Sequence, residues 1–219
     1  MKILIIITGN WGLDISLKPN IEILKNYMLE NTNNIVEYAG LSYTDDFHNY
    51  EDIIKFKYKE ISNEKILTRL CYFINKYKDT FDYDWYIRFR PEVRLFESIN
   101  FDTLCINSIN ARARLYNGPK KIKYGLAVNG NGRWSHVIAS FYKDKEEDIV
   151  LDDIIIIFHN TLIKDCAFDF PNLYSDTSEH EWLHNTYYNY KKIKKNIIGI
   201  NMMYINRENM FGYSGNINC

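Results

Sequence analysis

The chain has 219 residues, enough for one sizeable domain, with 46% hydrophobic and 25% charged side chains, as in ordinary soluble proteins. Its formal net charge of -1 excludes a generic nucleic-acid binder, which needs a basic excess to displace counterions. Cys71, Cys105, Cys166 and Cys219 are far apart and form no CxxC or Cys/His cluster, so neither a zinc site nor a disulfide framework is expected, and a reducing cytoplasmic setting is. No apolar run reaches the ~20 residues that span a bilayer, and the opening MKILIIITGNWG lacks a cleavage pattern.

In chain order, Ile3–Ile7 is a continuous apolar run that reads as a buried parallel strand, closed by the tight loop Thr8-Gly9-Asn10-Trp11-Gly12. A helix follows, with Pro19 in its first turn and Ile21, Leu24 and Met28 on one face. Residues 34–41 make a second strand, and 44–52 a polar, acidic loop. This β-loop-α-β opening predicts an α/β sheet. Leu67, Leu70, Cys71, Ile74 and Tyr77 then recur at helical spacing, and Trp85–Phe89 is a buried strand stopped by Pro91. Residues 97–149 read as short strands around Gly-Asn turns, and 151–160 as another strand with a helical turn after it. Ser178 and Glu181 form a capping-box pattern at the start of a helix, and 196–205 is a last strand. No repeat or linker divides the chain, so residues 1–219 read as a single α/β domain, whole or as the first part of a longer protein.

Ligands of open α/β sheets sit outside the carboxyl ends of the strands. By that rule Arg90 and Glu92, which leave the strand Trp85–Phe89, share an edge with Thr8–Gly12, whereas Asp82 and Asp84 precede the strand and belong to the far edge. Glu92 can supply a hard oxygen ligand and Arg90 a bidentate phosphate contact; a plain surface pair accounts for the spacing equally well. Gly9 permits close backbone approach, and Trp11 offers an aromatic face for stacking. Arg112 and Arg114 alternate on one segment, as phosphate contacts or as solvated charges. Glu179, His180, Glu181 and His184 gather in one stretch: His180 and His184 are four residues apart, and the capping box alone explains Glu181. His159 ends an apolar run, where it could touch a metal or phosphate.

The line RLCYFINKYKDTFDYDWYIRFRPEVRLF resembles the middle of GT-A glycosyltransferases, in which a helix leads into a strand ending in a short acidic motif. Its YDWYIRFRPE core is similar to that of capsule- and lipopolysaccharide-type enzymes, and the whole chain, in length and element order, resembles the N-terminal domain of capsid-glycosylating chlorovirus enzymes. The likeness is sharp at 81–96 and looser at 1–12 and 151–184; where the family carries D-x-D at the strand end, this chain has Arg-Pro-Glu. The resemblance implies a GT-A-like, Rossmann-related domain with a mixed, mostly parallel central sheet flanked by helices. It implies transfer of a sugar from a nucleoside diphosphate sugar, UDP-linked, to a glycan or glycoprotein acceptor, with Mn2+ or Mg2+ as cofactor. Glu92, with Asp84 as the alternative, would bind the metal. Thr8, Gly9, Asn10, Trp11, Arg69 and Arg90 would bind the donor, and Asp153 or Glu181 would serve as acid–base residue. The loss of D-x-D keeps open a nucleotide-sugar- or carbohydrate-binding module without catalysis. A methyltransferase-like Rossmann enzyme would need GxGxxG after the first strand, which TGNWGLD does not supply.

Overall fold

A computed structural model describes residues 1–9, 11, 33–91, 93–95, 99–117, 122–123, 126–127, 133–137, 149–164, 194–198 and 202–204. Its centre is an eight-stranded mixed sheet. The strands β1 (Lys2–Thr8), β2 (Ile35–Ser42), β3 (Phe56–Ile61) and β4 (Trp85–Phe89) run parallel in the order β3-β2-β1-β4. Two short strands, β5 (Val93–Leu95) and β12 (Met202–Tyr204), pair antiparallel outside this sheet, and so do β7 (Ile122–Lys123) and β8 (Leu126–Ala127). Beyond β4 lies β10 (Ile149–His159), antiparallel to it, then β6 (Ser108–Asn117), which carries β11 (Lys194–Ile197) and β9 (Arg133–Val137). The chain steps outward from β1 to β2 and β3, then returns to lay β4 on the other flank of β1. The strand order therefore reverses between β1 and β4, the place where such sheets open a crevice at their carboxyl ends.

Both faces of the sheet are covered, which is why its central strands are continuously apolar instead of alternating. Ile3, Ile5 and Ile7 join Trp85, Ile87, Phe89, Ile155 and Ile157 in one core layer. Leu4 and Ile6 join Tyr86, Ile156 and Phe158 in the other, against Leu67, Leu70, Cys71, Phe73 and Ile74 of helix α1 (Ile66–Tyr77). Each fully buried isoleucine contributes about 1.5–3 kcal/mol, so a polar residue at Ile5 would break the centre of the sheet. Helix α1 ends where Thr80 folds back: its backbone N–H and its hydroxyl both donate to the Tyr77 carbonyl, at 2.9 Å each.

The predicted strands at 3–7, 34–41 and 85–89 and the predicted helix over 66–77 stand where expected. Strand β3 was not foreseen, although FKYKEI alternates in and out of the core with period two. The single strand expected over 196–205 is two: β11 pairs with β6 in the main sheet, and β12 pairs with β5. After β10, the short helix α2 (Asn160–Lys164) stands at the start of the segment 161–168 expected to be helical. The helices expected around Pro19 and after Ser178 lie outside the described residues.

Candidate functional site

The carboxyl ends of β1, β2 and β4 form one rim. At the end of β1, Thr8 is fully buried, and among the described residues its hydroxyl has no hydrogen-bond partner. Such an atom costs free energy unless something binds it. Gly9 follows, also buried, and Asn10 lies outside the described residues.

Trp11 is 2% exposed, and its ring sits edge-on to Phe47, Tyr50 and Phe56 at centroid distances of 5.5, 5.3 and 5.6 Å. The stacking face expected for Trp11 is therefore filled by its own neighbours. Its indole Nε1 donates to the Leu41 carbonyl at 2.9 Å, and Tyr50 Oη donates to the Trp11 carbonyl at 2.8 Å, so Trp11 anchors the loop after β1 to the end of β2.

Arg69 also converges on that end. It is 1% exposed; Nη1 donates to the Leu41 carbonyl at 3.3 Å and Nη2 to the Glu64 carbonyl at 2.9 Å. Its guanidinium carbon lies 3.8 Å from the centre of the Tyr43 ring. Tyr43, just past β2, stays 40% exposed. The segment beyond it is pinned by Phe47, which lies so close to β2 that a Cβ on Gly40 would come within 2.6 Å of its ring.

On β4, Arg88 is fully buried, in register with Ile6 of β1 and Ile156 of β10. Arg90 is half-buried just past the strand, and Pro91 is buried at the same edge. Sequence reasoning passed over Arg88 and Tyr43. The signal for Arg88 was a charge inside the apolar run WYIRF, because a buried charge demands compensation.

Strand β10 brings an acidic position to this rim. It runs antiparallel to β4, with Ile155 opposite Phe89, so the backbone of Asp153 falls two residues further along, beside the Arg90–Pro91 corner. The pairing of β10 with β6 is interrupted between Leu151 and Ile156, so this stretch is irregular strand. Glu92, Glu179, His180, Glu181 and His184 lie outside the described residues. Arg112 and Arg114 stand two apart on β6.

Two candidate residues stand at the opposite rim, Asp84 as its place before the strand implies. Asp84 precedes β4 at the amino ends of the strands, where its Oδ2 accepts from the Lys2 N–H at 2.8 Å. Its N–H donates to the Lys2 carbonyl at 2.9 Å, and its own carbonyl accepts from Asn160 N–H at 3.0 Å. It ties β1, β4 and α2 together and cannot share an ion with a residue after Pro91, because β4 stands between them at ~3.3 Å per residue. His159 is there too, its ring 5.0 Å from that of Trp85 and its pKa held below the usual histidine value, chiefly by burial. It is no phosphate contact at the carboxyl rim.

No group of three His, Cys, Asp or Glu converges among the described residues. Asp153, the acidic position whose backbone reaches the carboxyl rim, is of the hard-oxygen type that suits Mg2+ or Mn2+. The arginines and the Thr8 hydroxyl suit an anion.

No protein-family model and no curated sequence matches the chain. Among solved structures, CMP:2-keto-3-deoxy-manno-octonic acid synthetase complexed with CTP superposes with a TM-score of 0.52 at 12% identity, covering 92% of each chain. The apo form of the glycosyltransferase GlyE of Streptococcus pneumoniae TIGR4 aligns at a TM-score of 0.44 and 9% identity over 88% of this chain, which spans 44% of that enzyme's length. A glycosyltransferase involved in the glycosylation of the major capsid of PBCV-1 aligns at a TM-score of 0.45 and 11% identity, covering 90% of this chain and 81% of that one. The chain thus shares the Rossmann-like, mixed and mostly parallel α/β fold of that synthetase.

Proposed function

We propose that this chain is a glycosyltransferase that moves a sugar from a nucleoside diphosphate sugar, UDP-linked, to a hydroxyl of a glycan or glycoprotein acceptor. The observation that carries this reading is the carboxyl rim at the β1/β4 reversal. It carries the buried Thr8 hydroxyl, unpartnered among the described residues, the arginines at 69, 88 and 90, and the backbone of Asp153. Departure of the sugar leaves negative charge on the diphosphate, and fixed positive groups aimed there lower the barrier. In this reading Arg90 meets the diphosphate, with Arg88 behind it raising the local positive potential. Thr8 Oγ and the backbone at Gly9 receive the ribose side of the donor. Asp153 takes the acceptor proton, with Glu181 as the alternative base.

The residue that would hold a divalent cation is Glu92; Asp84, on the other rim, has no part in it. When bound, Mn2+ or Mg2+ would neutralise charge developing on the diphosphate. The acceptor class follows the resemblance of residues 81–96: a capsule, lipopolysaccharide or capsid glycan. The reaction belongs in the cytoplasm, in keeping with the free thiols of Cys71 and Cys105 and with the absence, among the described residues, of a helix long and apolar enough to cross a membrane.

Thermal shifts with a panel of nucleoside diphosphate sugars, with and without Mn2+, test the reading, followed by donor hydrolysis for those that bind. A metal-dependent shift with one nucleotide class and turnover of its sugar is the expected result. Saturable binding without turnover of any donor would assign the chain to the alternative class, a nucleotide-sugar-binding module.

A further inference from the structure

The aromatic platform of this rim is Tyr43 and not Trp11; we infer that the open face of the Tyr43 ring stacks the nucleobase of the donor. The inference rests on the proposed nucleoside diphosphate sugar and adds to it the residue that receives the base.

Tyr43 is one of the few large apolar side chains left exposed among the described residues, at 40%, and it follows directly on the buried carboxyl end of β2. One face of its ring is already covered: the Arg69 guanidinium lies 3.8 Å from the ring centre. The 40% of the residue that stays exposed is area this guanidinium does not cover, and we assign it to the opposite face of the ring. A cation held against one face of an aromatic ring fixes its tilt, and here the cation is itself fixed by the Leu41 and Glu64 carbonyls.

The backbone on either side of Tyr43 is equally constrained. Before it, the Leu41 carbonyl accepts from both Trp11 Nε1 and Arg69 Nη1, and the Ser42 carbonyl accepts from Ser62 N–H at 2.9 Å. After it, Thr44 N–H donates to Ser42 Oγ at 3.3 Å, the Thr44 hydroxyl donates to Asp46, and Phe47 is buried against β2. An exposed ring held so firmly loses little conformational entropy when a flat ligand settles on it.

Position selects a base over the transferred sugar. The β1/β4 reversal is where the diphosphate fits, and adjacent strands are ~4.8 Å apart, so the end of β2 lies one strand spacing from β1 and about two from β4. The transferred sugar belongs on the β4 and β10 side with Asp153, which leaves the base for β2. Trp11 cannot take that role, because its ring is 2% exposed among Phe47, Tyr50 and Phe56.

The test is UDP binding, measured by titration calorimetry on the full chain, for the unmodified protein, Tyr43→Phe and Tyr43→Ala, with melting temperatures alongside. Stacking one base on an aromatic ring is worth ~1–3 kcal/mol by alanine substitution, so Tyr43→Ala should bind UDP about tenfold or more weakly. Tyr43→Phe should stay within about twofold, because the ring and not the hydroxyl does the stacking. Saturation-transfer NMR on the unmodified protein needs no variant; it should mark uracil H5 and H6 most strongly among the UDP protons. Unchanged affinity in Tyr43→Ala, equal losses in both variants, or strongest saturation on the ribose would overturn the inference and leave the glycosyltransferase reading standing. No UDP binding by the unmodified protein would overturn both.

Discussion

The two rims of the sheet use their polar groups differently. At the amino rim the charged groups of Lys2, Glu37, Lys57, Asp82 and Asp84 are matched, although the Tyr86 hydroxyl nearby is buried without a partner among the described residues. Lys2 pairs with Asp82, Asp84 holds the first strand, and Glu37 accepts from both Lys57, at 2.8 Å, and Tyr83, at 2.5 Å. Burial works against the Glu37 charge, yet the bonds from Lys57 and Tyr83 outweigh it and hold the carboxyl below its ordinary pKa, while burial and the same bond push the Tyr83 phenol up. At the carboxyl rim the Thr8 hydroxyl is buried without a partner among the described residues, and Tyr43 is exposed on a fixed backbone. A group satisfied within the protein serves stability; a group left unsatisfied at a strand reversal is placed for a ligand.

Substitutions at the two rims should therefore separate activity from stability. The largest contrast is between Glu92 and Asp84. Glu92→Gln should lower donor turnover by ~10²-fold or more, the scale seen when a charge-stabilising group is removed, with little change in melting temperature. Asp84→Asn should lower the melting temperature and leave turnover within about twofold. The reverse pattern in steady-state kinetics would put the metal on the amino rim.

A smaller contrast lies between two hydroxyls. Tyr83→Phe removes a donor from a carboxylate whose side chain is 31% exposed, so after allowing for solvent screening it should cost about 1 kcal/mol in urea unfolding. Thr8→Val removes a buried hydroxyl with no partner and should be neutral or stabilising by up to ~1 kcal/mol, while weakening nucleotide binding. A Thr8→Val protein that is markedly less stable would show that the hydroxyl serves the fold.

The smallest expected effect is a pH dependence. Because burial lowers the His159 pKa in the folded chain, the unfolded chain binds the proton more readily. The contribution of His159 to stability is then intact above the ordinary value of ~6.5 and declines as pH falls from there through the lower folded value. Urea midpoints between these limits should fall less steeply in His159→Gln than in the unmodified protein; parallel curves would show no linkage at this residue.

Much of the fold was legible because the two central strands carry no alternation to misread: Ile3–Ile7 is an uninterrupted apolar run, and Trp85–Phe89 is one broken only by Arg88. The placement of Asp84 on the far rim also followed from its position before the strand. Strand partners were not legible, since period and hydrophobicity give a strand's faces but not its neighbours. Nothing local to LDDIIIIFHN indicates that it runs antiparallel to β4, yet that direction carries Asp153 to the carboxyl rim and His159 to the amino one. Trp11 and Tyr43 were equally opaque. Which aromatic is caged and which is open depends on Phe47 and Phe56, distant in sequence, filling the space around Trp11.

The central claim is that a nucleoside diphosphate docks on the carboxyl rim. Hydrogen–deuterium exchange of the full chain with UDP and Mn2+ tests it most directly. Slowed exchange in peptides covering 8–11, 41–46 and 88–91 is the predicted result. Protection confined to peptides covering 80–86 and 157–162, at the amino rim, would contradict it.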